Sequence, residues 1–219
     1  MFQSGTRRWP EWIERQLVQR GIDDERVLSA LAKVPREAYV PRRHRNRAYF
    51  DGPIKIGCHQ TISQPFIVAL SLQALKLDGS EKVLDIGTGS GYQAVLLSHL
   101  AREVYTIEIH QKLFIDSRQA IERHQLAPVH QRHGDGSLGW PEAAPFDAIV
   151  AGARAPKLPE ALTDQLVRGG RLVIPIGGES AQMLYRVRKS ADGSLDKQML
   201  ERVLFVPLVG KGGTGYLPE

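Results

Sequence analysis

Residues 83–92 of the chain read Val83-Leu84-Asp85-Ile86-Gly87-Thr88-Gly89-Ser90-Gly91-Tyr92. An apolar run that leads into closely spaced glycines predicts a short buried strand followed by a tight turn. Apolar residues then recur at helical spacing from Tyr92 to Leu100. Glycines in a strand–turn–helix unit let a ligand approach the main chain closely. The stretch therefore predicts a ligand-binding turn at the carboxyl end of a strand.

The segments after this turn alternate between strand and helix patterns. The expected strands are Val104–Ile109, Val129–Arg132, Phe146–Ala151 and Arg171–Ile176; the expected helices are 111–124 and one through Leu158, Leu162 and Leu166 that Gly169-Gly170 ends. Such alternation predicts an α/β fold with a mostly parallel, doubly wound sheet. Two further apolar runs, Met183–Val187 and Val203–Val206, flank Asp192-Gly193. They predict C-terminal antiparallel strands at the edge of the sheet.

The first eighty residues have helical and irregular patterns. Apolar residues at helical spacing run up to Gly21, and Asp23 or Asp24 can cap a second helix that Pro35 ends. The region 36–60 is expected to be irregular. Its basic run Arg42–Arg47 is compatible with a nucleic-acid patch, but we prefer a solvated basic face. We expect a single domain over 1–219, with N-terminal helices and an active-site segment (1–80), a cofactor-binding core (81–180) and terminal strands (181–219).

Composition excludes several classes of protein. The 219 residues are 42% hydrophobic and 24% charged, which is typical of a chain that buries a full core. No stretch approaches the roughly 18–20 apolar residues of a membrane span, and residues 1–8 lack the apolar run of a secretory signal. The single cysteine, Cys58, fits a reducing compartment, so we expect the cytoplasm. The net charge of +5 is too diffuse to identify nucleic acid as the substrate.

Acidic residues around the glycine turn indicate which ligand it binds. A dinucleotide fingerprint needs a small residue where Tyr92 stands, and Asp85 would repel a pyrophosphate. Asp85 suits a cationic ligand instead. Glu108, at the end of the next strand, can accept hydrogen bonds from both ribose hydroxyls, and Gly134-Asp135-Gly136 is placed to meet an adenine edge. Each acid taken alone could equally be a structural residue, such as a charge at the end of a strand or a residue in a turn. Together, however, the three acids indicate S-adenosyl-L-methionine.

The segment before the glycine turn carries information about the acceptor. Gln60-Thr61-Ile62-Ser63-Gln64-Pro65, taken with the glycine motif, closely resembles the protein-L-isoaspartate (D-aspartate) O-methyltransferase family. Similar stretches extend the resemblance over nearly the whole chain from about residue 20; they are Val34–Glu37, Ala144–Ile149, Gly169–Pro175 and Phe205–Leu208. The resemblance implies a Rossmann-like S-adenosylmethionine-dependent methyltransferase fold with an N-terminal helical elaboration.

The resemblance also implies an activity. The methyl group would pass to the α-carboxylate of L-isoaspartyl residues in damaged proteins and peptides, with D-aspartyl residues as a further acceptor to be tested. The ester would then close to a succinimide and begin repair. The implied partners are isoaspartyl proteins and peptides, preferably flexible segments, with no nucleic acid and no membrane, acted on by a monomer.

The implied site residues fall into three groups. Ser63 matches the active-site residue of the family, and Thr61, Ser63 and Gln64 are expected to contact the substrate. The expected cofactor-binding residues are Thr61, Ile62, Asp85, Gly87, Thr88, Gly89, Gly91, Glu108, Asp135 and Gly136.

An acceptor carboxylate needs no general base, because a group of pKa about 3.5 is already ionised at pH 7. The task is to align its oxygen with the methyl carbon and sulfur. We therefore expect Ser63 to orient the carboxylate by a hydrogen bond. On residue chemistry alone, Ser63 before Pro65 is also typical of a helix N-cap, and both roles can coexist.

Two positions depart from the family pattern. Asp85 stands where many members carry glutamate, which shortens the reach of the carboxylate but keeps its charge. Arg154 stands where small residues are commoner, and we hypothesise that it assists an acidic peptide. Trp140 is expected to plug the core, and Tyr49 and Phe50 either wall a peptide cleft or staple their loop. No metal site is expected from Cys58 and His59, or from His130, His133 and Asp135.

Three other functions compete with this interpretation of the sequence. A nucleic-acid methyltransferase would need an extruded base and its own catalytic motifs, which the sequence lacks. A non-catalytic binding module is disfavoured by the intact acids and the intact Ser63 segment. A nicotinamide oxidoreductase is excluded by the glycine spacing.

Overall fold

The computed structural model describes residues 9–214, and its N-terminal part combines three helices with a two-stranded hairpin. In chain order these elements are α1 (Glu11–Gln16), α2 (Glu25–Lys33), β1 (Ile54–Gly57), β2 (Gln60–Ile62) and α3 (Pro65–Leu75). The Asp24 carboxylate accepts the backbone N–H groups of Arg26 and Val27, which confirms Asp24 as the N-cap of α2. Short 3₁₀ turns fill much of the segment between α2 and β1.

The rest of the chain forms a seven-stranded sheet with helices between its strands. Its elements are β3 (Lys82–Ile86), α4 (Tyr92–Ser98), β4 (Glu103–Glu108), α5 (Gln111–His124), β5 (Val129–His133), β6 (Phe146–Ala151), α6 (Glu160–Asp164), β7 (Leu166–Gly177), β8 (Gln182–Lys189) and β9 (Leu195–Val203). The strand order is β5-β4-β3-β6-β7-β8-β9; the strands from β5 to β7 pair in parallel, and β8 and β9 add antiparallel to one edge. This confirms the α/β class and the doubly wound order.

Strand order reverses between β3 and β6, and ligands of such sheets bind at the carboxyl ends of the strands at this point. The backbone N–H of Gly152, just after β6, donates to the Ile86 carbonyl at the end of β3. The two strand ends are therefore held side by side, with the glycine turn between them.

Alternate residues of the sheet pack on opposite faces. Val83 belongs to a large apolar cluster that includes α2, α3, α4 and the start of α1, whereas Leu84 belongs to a second cluster with α6. Helix α3 has buried side chains around most of its circumference, because it lies between the sheet and α2. The N-terminal helices therefore continue the main core and fix the start of α3.

Three expectations about the elements were wrong. Region 36–60 was expected to be irregular, but it contains β1 and the beginning of β2. The helix expected to run through Leu166 ends at Asp164, and β7 begins at Leu166 and includes Gly169 and Gly170. The second C-terminal strand lies at Leu195–Val203 and not at 203–206.

Each deviation has a physical reason. Pairing of β6 with β7 shifts register after Phe146, and a Cβ at Gly170 would lie 2.9 Å from the Val167 carbonyl oxygen. The glycines therefore permit a bulged strand and do not end a helix. Strand β9 is an edge strand with mostly exposed side chains, so it lacks the apolar alternation by which strands are recognised.

None of the helices within residues 9–214 has the length and apolar character that crossing a membrane requires. Residues 1–8, which were expected to carry no secretory signal, lie outside the described residues.

Candidate functional site

Three adjoining cavities open at the carboxyl ends of β3, β4 and β6. The strand-end cavity is lined by residues that include Ile86, Gly87, Gly89, Glu108 and Gly136. The turn cavity is lined by residues that include Ser63, Thr88, Ser90, Tyr92 and Gln93. The groove is lined by residues that include Arg20, Pro53, Ser63, Gln64, Phe66 and 201–206. Thr61 and Gly152 line all three cavities, so the three spaces meet at these two residues.

The glycine turn is anchored to the neighbouring strand. Backbone N–H groups of Gly87 and Thr88 donate to the Ile107 carbonyl at 2.8 and 3.1 Å. Gly87 and Gly89 have φ values of 92° and 55°, a region that L side chains rarely adopt. The turn therefore presents its main chain to both the strand-end cavity and the turn cavity.

Glu108 lies on the wall of the strand-end cavity and ends β4, as the sequence predicted. Its carboxylate oxygens accept the backbone N–H groups of Gly89 at 2.8 Å and His110 at 2.9 Å. Each carboxylate oxygen has a second acceptor direction. Glu108 therefore ties the glycine turn to β4 and retains capacity for hydroxyl donors in the cavity.

Asp85 is completely buried beneath the turn, and it is absent from the lining of all three cavities. One carboxylate oxygen accepts Gln93 Nε2 at 2.8 Å and the other accepts Thr106 Oγ1 at 2.9 Å. Burial raises the pKa of Asp85 to about 7, although both hydrogen bonds oppose the shift. Asp85 reaches the turn cavity through Gln93, which lines it.

The Asp135-Gly136 pair divides between two environments. Gly136 lines the strand-end cavity. The Asp135 carboxylate accepts the backbone N–H of Ser137 at 2.9 Å and, with its other oxygen, the N–H of Lys211 at 2.7 Å. Asp135 therefore fixes the C-terminal segment beside this cavity.

The segment Thr61–Gln64 joins β2 to α3 and lies where the cavities meet. Ile62 is buried and also lines the turn cavity. Ser63 borders both the turn cavity and the groove, whereas Gln64 borders the groove alone. Gln64 is the N-cap of α3 by its backbone, with no side-chain cap bond, so the expectation of a Ser63 N-cap was wrong. Within residues 9–214 the Ser63 hydroxyl has no protein hydrogen-bond partner.

The groove is formed by residues from the N-terminal region and from the C-terminal strands. One wall carries Arg20 and Phe66; the other carries residues 180–182 and 201–206. The Arg20 guanidinium pairs with Asp51 at 2.5 Å and lies 3.5 Å from the centre of the Phe66 ring. The opposite wall mixes apolar and charged residues and includes Leu204, which is 77% exposed. The groove therefore offers both apolar and charged contacts to a ligand.

Sequence patterns did not predict several of the residues that line the cavities. Gly152 and His110 each follow the end of a parallel strand, which is a signal that could have found them. Gln60 Nε2 donates to His110 Nε2 at 3.2 Å and closes the hairpin over the strand-end cavity. Residues 206–209 also line this cavity, held by pairing with Arg154, and no local pattern indicates that contact.

The remaining candidate residues have structural positions. Arg154 is buried, its Nη1 donates to the Gly177 carbonyl at 3.3 Å, and it does not line the groove, so its expected contact with a peptide is not supported. Trp140 packs edge-on against Tyr105, as expected of a core plug. The Tyr49 hydroxyl donates to Glu37 and its ring packs on Trp12, which staples the loop, whereas Phe50 is exposed. No cluster of three or more His, Cys, Asp or Glu side chains suited to a metal ion occurs within residues 9–214.

Comparison with known proteins identifies relatives over almost the whole chain. The sequence model of the family described as protein-L-isoaspartate(D-aspartate) O-methyltransferase matches residues 10–213. A protein-L-isoaspartate O-methyltransferase of Geobacter metallireducens is 48% identical, over 93% of this chain and 94% of that protein. Protein-L-isoaspartate O-methyltransferase 2 of Marinobacter nauticus is 51% identical, over 92% of each. A Plasmodium falciparum structure of this description, in complex with S-adenosyl-L-homocysteine, has a TM-score of 0.78 at 31% identity and covers 90% of this chain and 96% of that one.

Proposed function

Because this chain belongs to the protein-L-isoaspartate(D-aspartate) O-methyltransferase family, we propose that its three cavities divide two reactants between them. The enzyme transfers a methyl group from S-adenosyl-L-methionine to isoaspartyl residues. The adenosyl part occupies the strand-end cavity, the methionine part the turn cavity, and the isoaspartyl peptide the groove. The supporting observation is that all three spaces meet at Thr61 and Gly152.

The residues of the two cofactor cavities suit S-adenosyl-L-methionine. Glu108 accepts the ribose hydroxyls with its free acceptor directions, and the main chain of Gly87 to Gly89 packs against the ligand. Gly136 lines the adenosyl side, and Thr88 lines the methionine side. Asp85 orients Gln93 toward the same space. When bound, S-adenosyl-L-methionine supplies an electrophilic methyl group on a positively charged sulfur.

Ser63 acts on the acceptor. Ser63 borders both the turn cavity and the groove, so a carboxylate that accepts a hydrogen bond from its hydroxyl lies at the boundary between the reactants. The acceptor is already ionised at pH 7, so Ser63 aligns an oxygen and removes no proton. Thr61 and Gln64 contribute further contacts at the same boundary. A peptide seated on the apolar residues of the groove excludes water from the anion and so strengthens its attraction to the methyl donor.

We expect extended, flexible peptide segments to enter the groove most readily, including D-aspartyl ones, because they present a similar carboxylate. The product ester then closes to a succinimide by attack of the following backbone nitrogen, with loss of methanol. We also propose that the enzyme acts as a monomer in the cytoplasm. The single cysteine suits a reducing compartment.

Two synthetic peptides that differ only in Asp against L-isoAsp at one residue test the substrate. We expect transfer to the isoaspartyl peptide alone. Glu108→Ala removes a hydrogen-bonding charge and should weaken S-adenosyl-L-homocysteine binding roughly 10- to 100-fold by calorimetry. Ser63→Ala should lower kcat by a similar factor and leave that affinity unchanged.

Ser29→Ala, on α2 and away from the three cavities, is the matched control and should behave as wild type. Transfer to both peptides would contradict the substrate assignment. Full activity of Ser63→Ala would contradict the role of the serine, and unchanged S-adenosyl-L-homocysteine affinity in Glu108→Ala would contradict the placement of the ribose.

A further inference from the structure

Arg36 is a charged side chain buried completely beneath the active-site segment. It lies in the 3₁₀ turn Arg36–Tyr39 that follows α2. Its Nε donates to the Ala48 carbonyl at 2.7 Å and its Nη2 donates to the Ser63 carbonyl at 2.6 Å. The two carbonyls flank the β1–β2 hairpin in the chain. One rigid guanidinium fork therefore closes the whole loop from residue 48 to residue 63.

The Ser63 peptide unit has no regular element of its own. Strand β2 ends at Ile62 and α3 begins at Pro65. The first backbone bond of α3 is accepted by the carbonyl of Gln64, from the N–H of Val68, so the helix does not use the Ser63 carbonyl. Arg36 supplies its hydrogen-bond donor instead. The direction of the Ser63 side chain consequently depends on a contact from a distant part of the sequence.

The surroundings of Arg36 indicate that apolar packing alone does not explain why a charged side chain is buried there. Within residues 9–214 no carboxylate lies at ion-pair distance from its guanidinium, and burial lowers its pKa from the ordinary value. Its Nη1 and the Tyr92 hydroxyl are both buried, and its Cζ lies 5.1 Å from the centre of the Tyr92 ring. A buried arginine without an acidic partner is costly to the fold. Such a cost is commonly tolerated where function requires it.

We propose that Arg36 is a positioning residue for methyl transfer: by holding the Ser63 carbonyl, it fixes the Ser63 hydroxyl against the acceptor carboxylate. This inference rests on the role of Ser63 proposed above. Arg36 contacts neither reactant, because it lies behind Ser63 and lines none of the three cavities. Its effect should therefore appear in alignment and much less in cofactor binding.

Arg171 provides a matched control at the other end of α3. Its Nε donates to the Leu75 carbonyl and its Nη2 to the Lys76 carbonyl, each at 2.7 Å. Like Arg36, it clamps two backbone carbonyls next to α3, but it lies at the end away from Ser63. Loss of either clamp should lower the melting temperature, whereas only Arg36 should affect alignment of the acceptor.

The test compares Arg36→Met, Arg36→Lys and Arg171→Met in the full-length enzyme with an isoaspartyl peptide. Arg36→Met should lower kcat roughly 10- to 100-fold while the dissociation constant of S-adenosyl-L-homocysteine changes less than about threefold. Arg36→Lys, whose amine reaches one carbonyl, should recover part of kcat. Arg171→Met should lose stability but keep kcat within about twofold of wild type.

A double variant identifies the route of the effect. If Arg36 acts through the serine, Ser63→Ala combined with Arg36→Met should be no slower than Ser63→Ala alone by more than about twofold. Multiplicative losses, an equal fall in cofactor affinity, or an Arg171→Met enzyme as slow as Arg36→Met would each overturn the inference.

Failure of the proposed function has a different signature. A wild-type kcat in Ser63→Ala would contradict the proposed role of the serine itself. A slow Ser63→Ala enzyme together with wild-type kcat in Arg36→Met would remove only the role of Arg36.

Discussion

At the scale of single residues, Asp85 shows that a carboxylate beside a binding turn can have a structural role without lining the ligand cavity. Its carboxylate is buried and held by Gln93 and Thr106. Thr106 Oγ1 also lies 2.7 Å from Thr88 Oγ1, so the two hydroxyls are hydrogen bonded. Asp85 therefore organises a short polar network under the glycine turn. Both carboxylate oxygens of the aspartate are used in that network.

The raised pKa of Asp85 predicts a dependence of stability on pH. Its pKa is about 7 in the folded protein and about 3.9 in an unfolded chain. Between these values the folded state binds more protons, so the contribution of Asp85 to stability is fully present below about pH 4 and is lost as pH rises through 7. The asparagine of Asp85→Asn stays neutral at every pH, so this variant should not lose stability in the same way as pH rises. Relative to wild type, the variant should gain about 1–3 kcal/mol in unfolding free energy between pH 5 and pH 8.

Urea unfolding at both pH values measures this difference. Asp196→Asn, at an exposed position on β9, provides the control and should follow wild type at both. A parallel pH dependence in Asp85→Asn and wild type would show that the buried carboxylate does not titrate in this range.

At the scale of elements, the packing of α5 against the glycine turn sets the position of α4. Gly91 precedes α4 with φ of 85°, and a Cβ there would lie 2.9 Å from Ile121 Cγ1 and 3.4 Å from Ser117 Cβ, both on α5. The third glycine of the motif therefore permits close approach of two helices, whereas Gly87 and Gly89 shape the turn that faces the ligand.

Gly91→Ala should separate these two roles. Any L residue at this φ costs about 1–2 kcal/mol, and overpacking against Ile121 should add about 1–3 kcal/mol. Gly193 has nearly the same φ, 91°, but open space around it, so Gly193→Ala should show only the first cost. Unfolding free energies measure the difference, and equal losses in the two variants would contradict the packing argument.

At the scale of the whole molecule, the groove exists only because distant parts of the chain meet. Arg20 and Phe66 form one wall, and residues 180–182 together with the end of β9 and the segment after it form the other. The antiparallel strands β8 and β9 carry this second wall beyond the parallel sheet. Substrate selection is therefore expected to respond to residues that lie far from the cofactor in sequence.

Leu204→Ala tests that wall. Leu204 lines the groove and is exposed, so a bound peptide should cover it, and loss of its side chain should raise the peptide KM roughly five- to tenfold. Met199 is 61% exposed on β9 and does not line the groove, which makes Met199→Ala the control. Steady-state kinetics with the isoaspartyl peptide, alongside S-adenosyl-L-homocysteine titration, separate the two sites. An unchanged KM in Leu204→Ala would place the peptide elsewhere.

Local sequence sufficed for the elements whose pattern is strong and self-contained. Strand β3, the glycine turn, β4 ending in Glu108, α5 and β6 follow from apolar periodicity and glycine spacing within a few residues, because one buried face dictates each pattern. The class of cofactor followed from the same local chemistry. Elements with weak patterns could not be predicted from local sequence. The strands of the β1–β2 hairpin are only three or four residues long, and β9 exposes most of its side chains.

What the tertiary structure decided is which chemical groups share a space. Sequence placed Asp85, Glu108 and Asp135 in one constellation, but folding buries Asp85 under the turn, leaves Glu108 on the cavity wall and ties Asp135 to Lys211. The contact of Arg36 with the Ser63 carbonyl spans 27 positions and has no local signal. The sequence by itself determined the fold class and the ligand-binding turn, because short-range patterns encode both. The arrangement around Ser63 depends on long-range packing, which no local pattern encodes.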